Sequence, residues 1–351
     1  MLIFAELLTA LVPGAKTTTE GTLQIRSVCI DSRQAVPGSL FVALRGERTD
    51  GHRYVGQAFA QGAVAALVEH PPEEAVTIID TVRGLVPSEI HPPLAIVVAD
   101  SLQALQRLAA TRREARPDLT VVGVTGSVGK TTTKEALAAV LAQRAQTLKS
   151  AGNYNNEIGL PLTLLELQPV HRFAVLEMGM YALGEIALLC SIARPQVGVV
   201  TNVEPVHLER LGTIERIAMA KAELIGALPQ DGVAVLNGDD LRVRAMAERT
   251  MARTVTFGLG PENDVRGEKI VGLGWQGIEL TVQVAEPDRF GLATSQARLR
   301  TPMIGRHAAW PALAATATGL VLGLSWEEIA RGLGTHKMNL RLVPKQGIGG
   351  V

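Results

Sequence analysis

The stretch that decides the fold is Val121-Val122-Gly123-Val124-Thr125-Gly126-Ser127-Val128-Gly129-Lys130-Thr131-Thr132-Thr133. Apolar residues lead into a glycine-containing loop, and a helical pattern follows. Glycine lets backbone N–H groups point into such a loop, and the helix N-terminus adds a dipole that favours anions. The stretch therefore predicts a phosphate-binding loop between a strand and a helix, since a chance glycine turn seldom has both neighbours.

Lys130 supplies a point charge for the β- and γ-phosphates of ATP, and the Thr131 hydroxyl can bind Mg²⁺. One position departs from the full G-x-x-x-x-G-K-[ST] pattern, because Val124 stands where a glycine is expected and Gly123 comes one place early. The predicted ATP ligands in the loop are Gly126, Ser127, Val128, Gly129, Lys130, Thr131 and Thr132.

Around the loop, apolar strands alternate with helical stretches, which is typical of a mostly parallel sheet covered by helices on both faces. The predicted strands are 121–124, 173–176, 197–200 and 233–236, and the predicted helices are 134–141, 186–192 and 214–228. Residues 264–300 instead predict an antiparallel meander, and 308–322 a closing helix. We therefore expect an α/β fold with a central ATP-binding domain over residues 118–340.

The first hundred residues predict a smaller α/β unit, with strands at 27–30, 40–44, 63–68 and 95–98. A helix over 101–115 follows, with Ser101 as its N-cap and Pro117 just beyond its end. Because 351 residues exceed the usual size of a single core, we place an N-terminal domain at 1–117.

Composition excludes several function classes. Lys+Arg and Asp+Glu both number 34 and aromatic residues make up 3% of the chain, so neither a basic field nor a stacking surface predicts nucleic-acid binding. The uncharged run 310–326 contains Pro311 and Gly319, which favours a buried helix over a membrane span. The N-terminus lacks a signal-peptide pattern, and Cys29 and Cys190 are too far apart for a metal or redox motif, so we expect free thiols in the cytoplasm.

Three further residues are candidates for a metal site. Glu177 follows the buried run 173–176, at the sheet edge where ligands gather, although a solvated strand-end glutamate is an equal alternative. His207 follows the strand 197–203, and Lys221 lies on an apolar helix. A surface histidine and a snorkelling lysine are the ordinary interpretations of these two, and the spacing alone does not decide.

Taken together, the motifs resemble the Mur ligase family, in the family's own order and over essentially the whole chain. Gly152-Asn153-Tyr154-Asn155-Asn156-Glu157 and Glu177-Met178-Gly179 resemble the branch that adds D-alanyl-D-alanine. The remaining matching stretches are 31–33, 37–44, 50–52, 125–131, 201–209, 220–223 and 236–240.

The resemblance implies an ATP-dependent ligase of peptidoglycan precursor synthesis. The γ-phosphoryl group would pass to the terminal carboxylate of UDP-N-acetylmuramoyl-tripeptide, and the amine of D-alanyl-D-alanine would attack the acyl phosphate. These small molecules would be its partners, and we expect a monomer. Lys130 and Mg²⁺ would stabilise the charge on the transferred group.

The resemblance also implies roles for single residues. Thr131 and Glu177 would bind one Mg²⁺, and His207 with a carbamylated Lys221 would support a second, so that Lys130, Glu177, His207 and Lys221 form the catalytic set. The implied substrate-binding residues are Ser32, Arg33, Asn153, Asn155 and Asn156.

Two departures from the family's pattern matter. Family members carry asparagines after a Gly-x-His that opens the late helix, whereas Ala308 and Pro311 stand here, so we expect Asn237 and Asp240 to contact the nucleotide instead. The family also continues beyond residues 341–342 into a third domain. We therefore interpret 341–351 as a hinge and stub, and expect a fragment with impaired turnover.

Other interpretations stay open at this point. The chain could be a non-catalytic module that binds nucleotide or UDP-peptide. It could also be a related ligase, either the one that adds the third peptide residue or one similar to folylpolyglutamate synthetase.

Overall fold

The structure is a computed structural model that describes residues 2–12, 24–87, 89–206 and 208–335. His207, the end of the predicted central domain and the segment 341–351 lie outside the described residues. The strands are β1 (Leu2–Ile3), β2 (Gln24–Ile25), β3 (Ser27–Cys29), β4 (Ser39–Val42), β5 (Ala65–Val68), β6 (Thr77–Asp80), β7 (Leu94–Val97), β8 (Thr120–Thr125), β9 (Thr147–Lys149), β10 (Phe173–Glu177), β11 (Val197–Val200), β12 (Val233–Asn237), β13 (Arg253–Gly258), β14 (Val265–Gly272), β15 (Ile278–Val284) and β16 (Gln296–Thr301).

Helices connect most of the parallel strands. They are α1 (Phe4–Leu11), α2 (Val55–Ala60), α3 (Ser101–Glu114), α4 (Lys130–Leu141), α5 (Gly159–Leu165), α6 (Glu185–Ala193), α7 (Leu208–Leu211), α8 (Ile214–Gly226), α9 (Leu241–Arg244), α10 (Ala309–Val321) and α11 (Trp326–Thr335).

The central sheet has nine strands in the order β16-β15-β14-β13-β12-β11-β8-β10-β9. All neighbours from β9 to β14 pair in parallel, while β15 and β16 extend the sheet antiparallel. The predicted mostly parallel α/β fold is confirmed, and the predicted meander forms the antiparallel edge of the same sheet. Strand β8 lies between β10 and β11. The next two strands along the chain, β9 and β10, lie on one side of it, and β11 to β16 lie on the other. Open α/β sheets bind ligands at such a switch point in the strand order.

Both faces of this sheet are covered, because alternate residues of each strand point to opposite sides. In β8, Val122 and Val124 pack into a buried cluster with residues of α4 and α10, such as Leu137 and Leu313. Val121 packs into a different cluster with residues of α6 and α8. This two-sided burial explains the near-continuous apolar strands that the sequence shows.

The smaller sheet is parallel throughout and has the order β3-β4-β5-β7-β6. One apolar cluster joins it to the central sheet, since it contains Leu67 of β5, Leu108 of α3 and Leu160 of α5, all buried. The boundary between residues 117 and 118 stays a prediction.

Helix α3 begins as predicted, but the predicted cap was wrong. Asp100 is the N-cap, and its Oδ1 accepts the backbone N–H of Gln103 at 2.8 Å. Ser101 is fully buried as the first helical residue, so its hydroxyl faces the interior and not the helix end.

Across the described ranges, no helix combines the length and apolarity that crossing a membrane requires. The run 310–326 contributes α10, most of whose residues are buried in the core, as predicted. Cys29 and Cys190 are buried free thiols, also as predicted.

Candidate active site

The phosphate loop lies between β8 and α4, and its two glycines are needed for different physical reasons. Gly126 has φ +151°, and a Cβ there would come within 1.8 Å of Thr201 Oγ1. Gly129, the residue before α4, has φ +83° with open space around the missing Cβ. Gly126 is thus required by a close approach, and Gly129 by the left-handed backbone. Gly123, which comes one place before the first glycine of the G-x-x-x-x-G-K-[ST] pattern, lies inside β8 and leaves room for Leu224.

The segment after β11 braces the loop. Asn202 accepts from Ser127 N through its carbonyl at 3.0 Å and from Val128 N through Oδ1 at 2.9 Å. Its Nδ2 and the Thr201 hydroxyl both donate to the Val128 carbonyl. These two loop N–H groups are therefore used within the protein. The first turn of α4 is the element suited to bind an anion, because the first N–H groups of a helix have no intrahelical partners.

Lys130 closes the loop from inside. Its Nζ donates to the carbonyls of Gly126 at 2.8 Å and Ser127 at 3.2 Å. Burial lowers the pKa of Lys130, while the charge of Glu177 acts in the opposite direction. Among the described residues no carboxylate forms a direct ion pair with this cation, which leaves it available to a phosphate group.

Glu177, at the end of β10, is 2% exposed, so the alternative of a solvated strand-end glutamate was wrong. Its Oε2 accepts from Thr131 Oγ1 at 2.9 Å, and its Oε1 accepts from Asn155 Nδ2 at 2.9 Å. The structure thus brings together the helix start, the strand end and the asparagine-rich loop on one buried carboxylate.

Sequence reasoning missed Lys134, which belongs to the same cluster. Its side chain is fully buried, with Nζ 3.0 Å from the Gly152 carbonyl and 3.7 Å from Glu177 Oε2. The attraction between a buried ammonium and a buried carboxylate offsets part of the cost of desolvating both charges. The available signal was the spacing of four residues from Lys130, which places both lysines on one face of α4.

Lys221 lies on α8 and is 3% exposed, so the snorkelling alternative was wrong, because a snorkelling lysine keeps its ammonium group in water. Burial, and secondarily the charge of Lys130, lower the pKa of Lys221 to about 7. A large fraction of this amine is therefore neutral near neutral pH.

Two cavities meet the loop. A cavity of about 210 Å³ is lined by Lys130, Lys221, Asn155 and Asn156, among others. In that cavity wall, Asn156 also caps the local backbone, since its Oδ1 accepts from Gly159 N at 2.9 Å. The lysine and asparagine side chains suit an anionic, hydrogen-bonding ligand.

A larger cavity, of about 790 Å³, includes the loop residues Val128, Gly129 and Thr132. Asn237 and Asp240, the predicted nucleotide contacts, line it as well. Ala308 and Pro311, which stand where the family carries asparagines, also line it. Phosphates at the start of α4 would therefore extend into this cavity.

The same cavity contains Asp239, which sequence reasoning also missed. Its carboxylate accepts from the backbone N–H groups of Leu259 and Gly260, from Asn263 Nδ2 and from Trp310 Nε1, at 2.7 to 2.9 Å. Asp239 lies in the stretch 236–240 that resembles the family, but no local pattern indicates its role, because its partners lie 20 to 71 positions further along the chain.

Three predicted substrate residues lie outside both cavity linings. Ser32 donates to Gln57 Oε1 at 2.8 Å, and Arg33 pairs with Asp31 in the smaller sheet's domain. Asn153 contributes its carbonyl to a turn with Asn155. In the part of the chain that the structure describes, no three His, Cys, Asp or Glu side chains gather into a metal site.

Comparison with known proteins gives consistent matches. A family model described as Mur ligase middle domain matches residues 124–319, and one described as Mur ligase family, catalytic domain, matches residues 24–113. The UDP-N-acetylmuramoyl-tripeptide–D-alanyl-D-alanine ligase of Synechocystis sp. is 40% identical over 90% of this chain and 63% of its own length. The chain spans just under two thirds of the length of the curated relatives that it matches first.

Solved structures agree. MurF from Acinetobacter baumannii superposes with a TM-score of 0.78 at 33% identity, covering 95% of this chain and 68% of that one. MurF ligase from Thermotoga maritima, solved in complex with ADP, has a TM-score of 0.71 at 29% identity and covers 92% of this chain and 68% of that one.

Proposed function

This chain belongs to the Mur ligase family. From that membership we propose that it functions as an ATP-dependent ligase that joins D-alanyl-D-alanine to UDP-N-acetylmuramoyl-tripeptide. The substrates are those in the names of its relatives. The observation that carries the proposal is the hydrogen bond from the exposed Thr131 to the buried Glu177, beside Lys130 in a loop that lines both cavities. The ADP in the Thermotoga structure supports an adenine nucleotide as a ligand.

In the proposed reaction, the terminal carboxylate of the UDP-peptide attacks the γ-phosphorus, the bond to ADP breaks and an acyl phosphate forms. The amine of the dipeptide then attacks the acyl carbon, loses a proton and expels phosphate, which leaves an amide. Lys130 and the first turn of α4 supply positive charge where negative charge develops, which is the main contribution a protein makes to phosphoryl transfer.

The residues present fit a magnesium ion. A hydroxyl and a carboxylate oxygen, from Thr131 and Glu177, meet at 2.9 Å, and Mg²⁺ is typically held by one or two carboxylates together with substrate phosphates. When bound, Mg²⁺ would neutralise charge on the phosphate oxygens.

We further propose that Lys221 carries a carbamate. Its neutral amine attacks the carbon of CO₂ and releases one proton, which turns a cation into a carboxylate-like oxygen ligand. Burial and the low pKa favour that conversion. His207, as the companion of Lys221, remains part of the proposal from sequence alone.

The other assignments are proposals of the same kind. Asn237 and Asp240 would contact ATP, and Asn155 and Asn156 would contact the UDP-peptide in the smaller cavity. Ser32, Arg33 and Asn153 would bind the same substrate elsewhere. We propose that the protein acts as a monomer in the cytoplasm.

The proposal is tested by phosphate release from the purified chain with MgATP and UDP-N-acetylmuramoyl-tripeptide, in the presence and absence of D-alanyl-D-alanine. Dipeptide-dependent release that Lys130→Ala abolishes would support a ligase. Binding of both ligands without release under any condition would instead identify a binding module. Release with a UDP-linked dipeptide and a diamino acid would identify the ligase that adds the third residue.

A further inference from the structure

The larger cavity is walled mainly by apolar side chains apart from the phosphate loop. Phe257 and Met303 are buried in its wall, and Leu241 stands at its rim with 78% of its surface exposed. Its volume of about 790 Å³ is within the usual range for ligand pockets. A nucleotide whose phosphates lie at the start of α4 therefore places its base against an apolar surface.

Asp239 is a carboxylate in the cavity wall that could hydrogen-bond a nucleotide base, but its acceptor positions are already occupied. A carboxylate has about four acceptor positions, and Asp239 receives four donors. One of them is Trp310 Nε1, so the indole's single donor is used as well. Neither side chain retains a hydrogen-bonding group for an adenine edge.

Two other polar side chains of the wall, Asn237 and Asp240, also hold the fold, whereas Arg242 and Glu204 line the cavity with exposed side chains. Asn237 donates to the Thr201 carbonyl at 2.7 Å and accepts from Asp239 N at 3.1 Å. Asp240 accepts from three backbone N–H groups, one of which belongs to Val203. Turning either side chain toward a base would break contacts that shape the cavity itself.

His307 lines the cavity too, and within the described residues no hydrogen bond engages its ring. A neutral imidazole has one donor and one acceptor nitrogen, and the tautomer adapts to the partner. It can therefore meet a 6-amino group or a 6-oxo group equally well.

We propose that this chain holds the nucleotide base by apolar contact and selects only weakly between 6-amino and 6-oxo purines. The inference rests on the proposed function, because it takes a nucleoside triphosphate to be the ligand. An apolar pocket separates close analogues by only about 10- to 200-fold, whereas a pocket built to hydrogen-bond a substrate group rejects analogues by about 10⁴-fold or more.

The test is calorimetric titration of the full chain with MgATP, MgITP and magnesium tripolyphosphate, the last of which has no base. We expect Kd for ITP and ATP to differ by less than about 200-fold. A larger preference for ATP would overturn the inference and leave the proposed function standing. Failure of both nucleotides to bind would overturn the proposed function and the inference together.

A pair of variants isolates the apolar contribution. Leu241→Ser should weaken ATP and ITP by the same factor, roughly fivefold, because a leucine loses its contact with either base. Tripolyphosphate affinity should not change. Met251→Ser is the matched control, since Met251 is 81% exposed and lies outside the cavity lining. An unequal effect of Leu241→Ser on the two nucleotides, or no effect on either, would contradict the inference.

Discussion

Thr131 and Glu177 are joined by a hydrogen bond of 2.9 Å across 46 positions of sequence. The bond connects the first turn of α4 to the carboxyl end of β10, which lies beside β8 in the sheet. Two oxygen atoms suited to binding a hard cation are therefore already close together in the folded chain, before any cation or nucleotide binds.

Glu177→Gln should preserve the acceptor for Thr131 but remove the negative charge. We expect MgATP binding to weaken by at least about tenfold, and phosphoryl transfer to fall by about 10²-fold, because charge stabilisation is the largest catalytic contribution. Titration calorimetry and phosphate release measure the two effects. Glu135→Gln is the control, since Glu135 also pairs with Lys134, but its second partner among the described residues is Lys149 and not Thr131. Equal losses in both variants would refute a special role for Glu177.

Gly126→Ala and Gly129→Ala should differ, although both glycines lie in the same loop. The first substitution forces a Cβ against Thr201 Oγ1, so the loop must move, and nucleotide affinity should drop by about tenfold or more. The second meets no atoms and costs only backbone strain of about 1–2 kcal/mol in the free energy of unfolding. Denaturant unfolding and MgATP titration of both variants check this, and unchanged ATP binding by Gly126→Ala would contradict the loop geometry.

Lys221 should take up CO₂ in a pH-dependent manner. Its pKa is about 7 in the fold and 10.5 as the ordinary value, so the amine becomes neutral as pH rises through 7. The energetic cost of burying the charged form is complete below pH 7 and declines between pH 7 and about 10. The carbamate signal in ¹³C NMR with labelled bicarbonate should therefore grow as pH rises from 6 to 8.

The controls for this experiment are two lysine variants. Lys221→Met should remove the signal, whereas Lys149→Met should keep it, because the Lys149 side chain is 46% exposed. A signal that survives Lys221→Met would place the carbamate on another lysine.

Arg113 should be a strong contributor to stability, because it is buried and joins α3 to the end of α6. It donates to the carbonyls of Ala193, Arg194 and Arg116. Arg113→Met leaves these carbonyls without their charged donor and should lower the free energy of unfolding by about 3 kcal/mol. Arg107→Met, at an exposed position of the same helix, should change it by less than about 0.5 kcal/mol. Similar denaturation midpoints for the two variants would disprove the assignment.

The sequence predicts those parts of this molecule whose signals are local. Strand β11 has the predicted range 197–200, because four buried apolar residues are bounded by polar ones, and it ends three residues before the longer predicted range, 197–203. Helix α4 begins at Lys130, four residues before its predicted start. The β-branched threonines 131–133 argue against a helix, but they lie in a turn that is fixed by the ends of β11 and β10. Strands β9 and β13 were missed, since one is three residues long and the other alternates between buried and partly buried positions.

In the candidate site, the loop and Glu177 could be found from sequence because a strand precedes each of them. Asp239 could not, since its partners lie far along the chain, and for Lys134 the spacing from Lys130 was the one signal available. Trp310, for example, reaches Asp239 across 71 positions. Single-chain patterns carry no information on such pairs.

The bracing of the phosphate loop by Asn202 has a consequence for the order of folding. The contacts of Asn202 with Val128 span 74 positions, and contacts of such length form late, after the entropy of closing a long loop has been overcome. A partly folded chain that has paired β8 with α4 but lacks β11 therefore has no rigid loop. Any ligand of this loop stabilises only the finished fold, by mass action, so ligand binding during refolding would mark the final step of assembly.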